Sequence, residues 1–204
     1  MTMTAQDAAS PPRNAAADRA AAIVEETGAQ FTGHFRLTSG RHSGEYFQCA
    51  RVLERPEHAE ELGRLLADRF RDDRVEAVVA PALGGVVIGY AVARALGVRF
   101  LFAERQEGRM TLRRGFTLKP DERVLIVEDV VTTGGSVKEV AELTRTAGAD
   151  VVGFGFIVDR SMSDPGLEPR AESLLRRVAE SFEPDDCPLC KQGLPIVKPG
   201  SRQE

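Results

Sequence analysis

Tryptophan is absent from this sequence, tyrosine occurs twice and cysteine three times. A disulfide framework needs a dense, even set of cysteines, so Cys49, Cys187 and Cys190 argue against that class of small secreted fold and fit a reducing compartment. No apolar run approaches the roughly 18 residues needed to cross a bilayer, and the N-terminus lacks the basic-then-apolar layout of a secretory leader. A cytoplasmic protein without a membrane partner is expected. Positive charge is not in excess either: 27 basic against 31 acidic residues leave a net charge of -4, which excludes coating of nucleic acid by bulk charge. If phosphates are bound, the positive charge must be local. Also missing are the glycine and lysine spacing of a nucleotide-binding P-loop and the G-x-G-x-x-G of dinucleotide folds.

What is present is an ordinary globular balance, 42% hydrophobic and 28% charged over 204 residues, enough for one sizeable core. Residues 1–18 are rich in Ala, Ser and Pro without a sustained apolar period and read as a disordered extension. Residues 19–204 read as a single domain. Ala20, Ile23 and Val24 share one helix face ending near Gly28, and Leu62, Leu65, Leu66 and Phe70 define a second helix running from Pro56. Between them, Phe31 to Cys49 reads as strand, turn, strand around Ser39-Gly40-Arg41-His42-Ser43-Gly44.

From Val75 onward, short runs rich in β-branched residues (Ala77 to Ala80, Phe100 to Phe102, Val124 to Val127, Val151 to Val158) alternate with helical stretches (Val86 to Leu96, Val137 to Thr146). That alternation predicts an α/β fold: an open, mostly parallel sheet with helices on both faces. The expected division is a core over about 56–160, and a small hood from about 19–50 plus the C-terminal segment 165–204. Leu174 to Phe182 fits a helix face or a strand bounded by prolines, and an added strand is expected.

Ligands of such sheets bind beyond the carboxyl ends of the strands. There the segment from Val124 to Ser136 delivers Glu128 and Asp129 from a buried strand, then Val130 and Val131, then Thr132, Thr133, Gly134, Gly135 and Ser136 at the start of a helix. Successive backbone N–H groups and three hydroxyls at a helix N-terminus form an anion site. Two carboxylates beside a phosphate would repel it unless the ligand also offers hydroxyl groups, as a ribose phosphate does. Pro81-Ala82-Leu83-Gly84-Gly85 repeats the arrangement after the preceding strand.

The segment from Val124 to Ser136 resembles the phosphoribosyl pyrophosphate signature of the type I phosphoribosyltransferases: an apolar strand, two acids, two apolar residues, Thr and a Gly-containing turn. Phe35-Arg36-Leu37-Thr38-Ser39-Gly40 is similar to the F-x-L-x-S-G motif of the orotate branch, in its shorter-loop bacterial form, and Asp159-Arg160 stands where that branch places its orotate-binding arginine. The resemblance implies transfer of ribose 5-phosphate from phosphoribosyl pyrophosphate to orotate in pyrimidine biosynthesis, with Mg²⁺ carried by the pyrophosphate, no direct protein ligand to the metal, and a homodimer. It implies Glu128 and Asp129 at the ribose, Thr132 to Ser136 at the 5′-phosphate, and Gly84 and Gly85 at the pyrophosphate. Orotate would meet Thr132, Arg160, Tyr46 and Phe47, although two aromatics on a strand fit a core equally well.

Glu104 to Lys119 holds five basic residues against two acidic ones, a net +3 in a chain of total -4. The resemblance makes it a lid whose Arg105 and Arg109 hold pyrophosphate; an exposed hairpin with scattered salt bridges is the alternative. Gly84 and Thr38 stand where a well-known form of the family carries lysines. A purine phosphoribosyltransferase and a nucleic-acid-binding sensor of the same fold are the competing functions. Cys187 and Cys190 make half a zinc site with no second pair at matching spacing. Reduced structural thiols are therefore expected, with Cys49, His34, His42 and His58 able to complete a site only by an accident of folding or across subunits. His42, in its turn, is a candidate for approaching phosphate.

Overall fold

A computed structural model of the chain describes residues 13–37, 39–178 and 180–199. Helix α1 (Arg13–Glu26) leads into a hairpin, β1 (Gln30–Arg36) and β2 (His42–Phe47), followed by the short α2 (Cys49–Leu53) and by α3 (Pro56–Ala67). Then come β3 (Ala77–Pro81), α4 (Gly84–Leu96), β4 (Arg99–Gln106), β5 (Arg109–Leu112), β6 (Arg123–Val131), α5 (Gly135–Thr146), β7 (Asp150–Asp159) and β8 (Ala171–Arg176). The chain closes with β9 (Ser181–Phe182) and α6 (Pro188–Lys191).

The main sheet has the order β5-β4-β3-β6-β7-β8, parallel except for the β4–β5 pair. Every residue of β3 is buried, as a central parallel strand covered on both faces must be. Alternate side chains feed two cores. Val78, Leu125 and Val127 pack with α1, α3 and α4 on one face; Ala77, Val79, Val124 and Ile126 pack with α5, Phe154 and Phe156 on the other.

From β3 the chain crosses by α4 to β4 on one side, and from its neighbour β6 it crosses by α5 to β7 on the other. The strand order therefore reverses between β3 and β6. The loops after these two strands part at their carboxyl ends and leave a crevice there, the usual ligand position of an open α/β sheet.

A second sheet, β1-β2-β9, forms the hood. Two boundaries differ from the sequence expectation. β8 extends the main sheet beside β7 instead of joining the hood, because Leu174 and Leu175 are buried in the first core. Helix α1 begins at Arg13, within the stretch expected to be disordered. Alanine is the best helix former and carries too little hydrophobicity to show a period, yet Ala16 and Ala20 are buried and Arg13 pairs with Glu172 of β8 at 3.0 Å. The rest of the expected extension, residues 1–12, lies outside the described residues.

Candidate active site

Glu128 and Asp129 occupy the last turn of pleat at the carboxyl end of β6, where side chains alternate between faces. The β3–α4 loop lies directly against them. A Cβ at Gly84 would stand 2.8 Å from Asp129 Oδ1, and one at Gly85 would stand 2.8 Å from the Val127 carbonyl oxygen and 3.4 Å from Glu128 Cα. Glycine at both positions is what lets the backbone of one crevice wall reach the carboxylates of the other. The Ala82–Leu83 peptide in this loop is cis.

Desolvation, reinforced by the neighbouring Asp129 charge, pushes the Glu128 carboxyl up to about 8. Desolvation also raises Asp129, opposed by backbone N–H donors that include Val130 N–H at 2.8 Å from Oδ1. Two crowded acids held out of water favour a ligand that accommodates them through hydroxyl groups or a cation.

Beyond Val131, which is buried in the second core, Thr132 and Thr133 are exposed and Gly134 turns the chain with φ 75° into α5. No side-chain hydrogen bond caps that helix among the described residues, so the first N–H groups, from Gly135 and Ser136 onward, face outward as anion donors. Lys138, which the motif did not single out, lies one turn into α5 with its Cε 3.7 Å from the Cβ position of Gly134. Its signal was only the helical spacing of four from that glycine.

β7 runs beside β6 in register, with Val131 opposite Asp159, and Arg160 N–H donates to the Val131 carbonyl at 2.9 Å. Arg160 and Thr132 therefore leave adjacent strand ends together. The Arg160 side chain is buried; its Nη2 donates to the Glu45 carbonyl of β2 at 3.1 Å and its guanidinium sits 5.5 Å from the centre of the Phe47 ring. Its Nε and the hydroxyl of Ser161 are buried without a hydrogen-bond partner among the described residues.

Phe47 is part of the first core. Tyr46 is half-buried, packs on Phe35 and donates to Gln48 Oε1 at 3.1 Å. Burial raises its phenol, with Asp129 adding to the effect and Arg160 opposing it. Cys49 is raised by burial and feels the same two charges. The Tyr46 phenol and the Cys49 thiol thus lie within electrostatic reach of both Asp129 and Arg160.

Within Glu104 to Lys119, the part up to Leu112 folds as a hairpin on the edge of the main sheet: β4 and β5 pair from Ala103–Leu112 to Gln106–Arg109, and Glu107 and Gly108 turn the chain with φ 50° and 83°, a primed two-residue turn, while residues 113–119 continue as a loop. Met110 anchors it in the second core. The first part of the segment expected to be a lid thus takes the hairpin form, and two of its five basic residues pair with carboxylates. Arg105 pairs with Glu139 of α5 at 2.7 Å and Arg114 with Glu104 at 2.8 Å. Arg109 is exposed at the start of β5. The hairpin brings Arg105 to α5, the helix that follows Thr132 and Thr133, but among the described contacts not to Glu128 or Asp129. Thr38 lies outside the described residues. His42, a candidate for phosphate, is instead buried in the hood against His34 and Cys190.

Residues 49–168 match the family described as the phosphoribosyl transferase domain. The chain is 58% identical over 186 residues to the orotate phosphoribosyltransferase of Pelotomaculum thermopropionicum, covering 91% of this chain and 98% of that one. It is 55% identical over 180 residues to the orotate phosphoribosyltransferase of Thermotoga maritima, covering 88% and 96%. Among solved structures it is similar to the orotate phosphoribosyltransferase of Aeropyrum pernix, with TM-score 0.64 and 27% identity over 76% of this chain and 92% of the other.

Proposed function

The chain belongs to the phosphoribosyltransferase family and has the orotate phosphoribosyltransferase activity of its relatives, and we propose how its residues divide that work. Orotate N1 forms a bond to ribose C1, the C1–O bond to pyrophosphate breaks with its electron pair leaving on the phosphate oxygen, and the N1 proton passes to solvent. Positive charge develops on the sugar and negative charge on the leaving group, so stabilisation must be aimed at both.

Glu128 and Asp129 accept hydrogen bonds from the ribose hydroxyls. Thr132 to Ser136 hold the 5′-phosphate through N–H and hydroxyl groups, with Lys138 adding charge beside them. Gly84 and Gly85 admit the pyrophosphate to the opposite wall, and Arg105 and Arg109 extend to it from the hairpin. The hard carboxylate oxygens and phosphate donors at this crevice fit a magnesium ion that arrives with the polyphosphate. When bound, Mg²⁺ neutralises charge growing on the pyrophosphate.

The observation that carries the choice of base is Arg160: a buried guanidinium with an unpartnered Nε, next to Thr132, suits a planar ligand with a carboxylate. A purine has no carboxylate to offer it. Product formation with orotate, and none with hypoxanthine, guanine, xanthine or adenine, is expected. Arg160→Ala should raise the KM for orotate at least about tenfold, the scale of one lost charge-assisted hydrogen bond, with the KM for phosphoribosyl pyrophosphate close to that of the parent. A purine substrate, or unchanged orotate kinetics in the variant, would move the base pocket elsewhere.

No helix among the described residues is long and apolar enough to cross a membrane, and we place the enzyme in the cytoplasm as a homodimer. Support for the dimer is the apolar stripe of α4 and its entry, where Leu83, Val87 and Tyr90 are 81%, 44% and 60% exposed at helical spacing.

A further inference from the structure

We propose that the hood holds a structural zinc ion on His34, His42, Cys187 and Cys190, a site formed by residues far apart in sequence. His34 belongs to β1 and His42 to β2, where His42 pairs with Arg36, two residues along from His34. The imidazoles are therefore diagonal neighbours across the hairpin, with ring centres 5.0 Å apart. Cys187 stands at the start of α6 and Cys190 within it, and the C-terminal segment returns to the hairpin: Val197 N–H donates to the His34 carbonyl at 2.8 Å, and Arg36 N–H donates to the Val197 carbonyl at 2.9 Å. One ligand atom from each of the four residues lies within 4.8 Å of all the others.

The geometry is that of ligands around a common centre. His34 Nδ1 lies 2.8 Å from the Leu194 carbonyl oxygen. A carbonyl only accepts, so Nδ1 carries the proton and Nε2 presents its lone pair inward, the tautomer that a second-shell carbonyl fixes in metal-binding histidines. Onto that lone pair converge His42 Nδ1 at 3.2 Å, Cys187 Sγ at 3.6 Å and Cys190 Sγ at 3.7 Å, while Cys190 Sγ stands 3.3 Å from His42 Nδ1.

One lone pair cannot accept from three groups at once, whereas a central cation accepts a lone pair from each of the four, with both thiols deprotonated. Tetrahedral zinc with nitrogen at about 2.05 Å and sulfur at about 2.3 Å sets neighbouring N···N and N···S separations of about 3.4 and about 3.6 Å. The separations here fall close to both. Two thiolates and two imidazoles in tetrahedral array select zinc over the hard cations of phosphate chemistry. Having all four positions filled by protein makes the site structural. The expectation of unliganded thiols rested on seeking a second closely spaced pair along the chain. His34 and His42 are eight apart and meet only because a hairpin folds them together.

The ion would clamp the C-terminal segment to the strand whose Glu45 carbonyl holds Arg160. The site does not depend on which base the enzyme uses, so its test is separate from any assay of turnover. Protein purified without chelator from zinc-replete cells is expected to carry one zinc per chain by elemental analysis. The cobalt-substituted protein should show the visible bands of tetrahedral Co²⁺ and thiolate charge transfer. Cys190→Ser and His42→Ala should each reduce zinc to a small fraction of an equivalent. Should either variant fail to fold, the parent serves: stripping by a chelator should lower its Tm, and Zn²⁺ alone should restore it. Metal-free protein that neither takes up Zn²⁺ nor gains Tm from it would overturn the proposal, as would a Cys187–Cys190 disulfide in the purified protein or full zinc retention by both folded variants.

Discussion

Glu128 is the residue at which function and stability pull in opposite directions. Its carboxyl is raised from the ordinary 4.5 to about 8 by desolvation and by Asp129, so the folded state prefers the protonated form. Below pH 4.5 both folded and unfolded chains carry the proton, and there is no penalty. Between 4.5 and 8 the unfolded chain ionises first, so stability falls as pH rises, and the cost is complete above 8. Glu128→Gln removes it. Thermal unfolding of the ligand-free variant and parent should coincide near pH 4 and diverge by more than about 1 kcal/mol in favour of the variant at pH 9, while the variant loses turnover. The acids and the Thr132–Ser136 loop were legible in sequence because a β-branched run, two acids and a glycine turn are contiguous. The partners of Arg160 were not, because the Glu45 carbonyl lies 115 residues away and belongs to backbone that carries no sequence signal. His34 and His42 were named beside the cysteines but could not be joined to them for the same kind of reason: their meeting depends on strand register.

At the scale of elements, the crevice depends on the β3–α4 loop resting against the end of β6. Gly85→Ala would place a methyl 2.8 Å from the Val127 carbonyl, a backbone contact that cannot swing aside as a side chain would. A loss of about 1–3 kcal/mol is expected, measured by chemical denaturation, together with a rise in the KM for phosphoribosyl pyrophosphate; unchanged stability would mean that the two walls are not in contact. Parallel strands and their helices were readable from alternating apolar runs and turn residues, and α4 and α5 start within two residues of the positions expected. The 104–119 segment was harder. Its charge suggested a lid or an exposed hairpin, and the primed turn at Glu107-Gly108 and the burial of Met110 give its first part the hairpin form. Scattered arginines do not reveal beforehand that Glu139 and Glu104 will engage them.

At the scale of the whole molecule, the reversal of strand order between β3 and β6 gathers the acid pair, both glycine loops and Arg160 at the carboxyl ends of the central strands, and β9, from the other end of the chain, completes the hood beside β2. The sheet type was legible from the sequence; the hood's closure was not, since β9 is two residues long. The exposed stripe on α4 predicts that light scattering will find a dimer, and that Val87→Lys with Tyr90→Lys will yield a folded monomer; a parent that is monomeric would remove that interface. The central claim, that the carboxylates ending β6 bind the ribose of the transferring group, is tested most directly by steady-state formation of orotidine 5′-monophosphate by Asp129→Asn. Because the side chain lies at an open strand end and its raised pKa makes the neutral form no burden to the fold, the variant should retain the parent's Tm or exceed it while turnover falls by about 100-fold or more. Near-parental turnover in a folded Asp129→Asn protein would contradict the account.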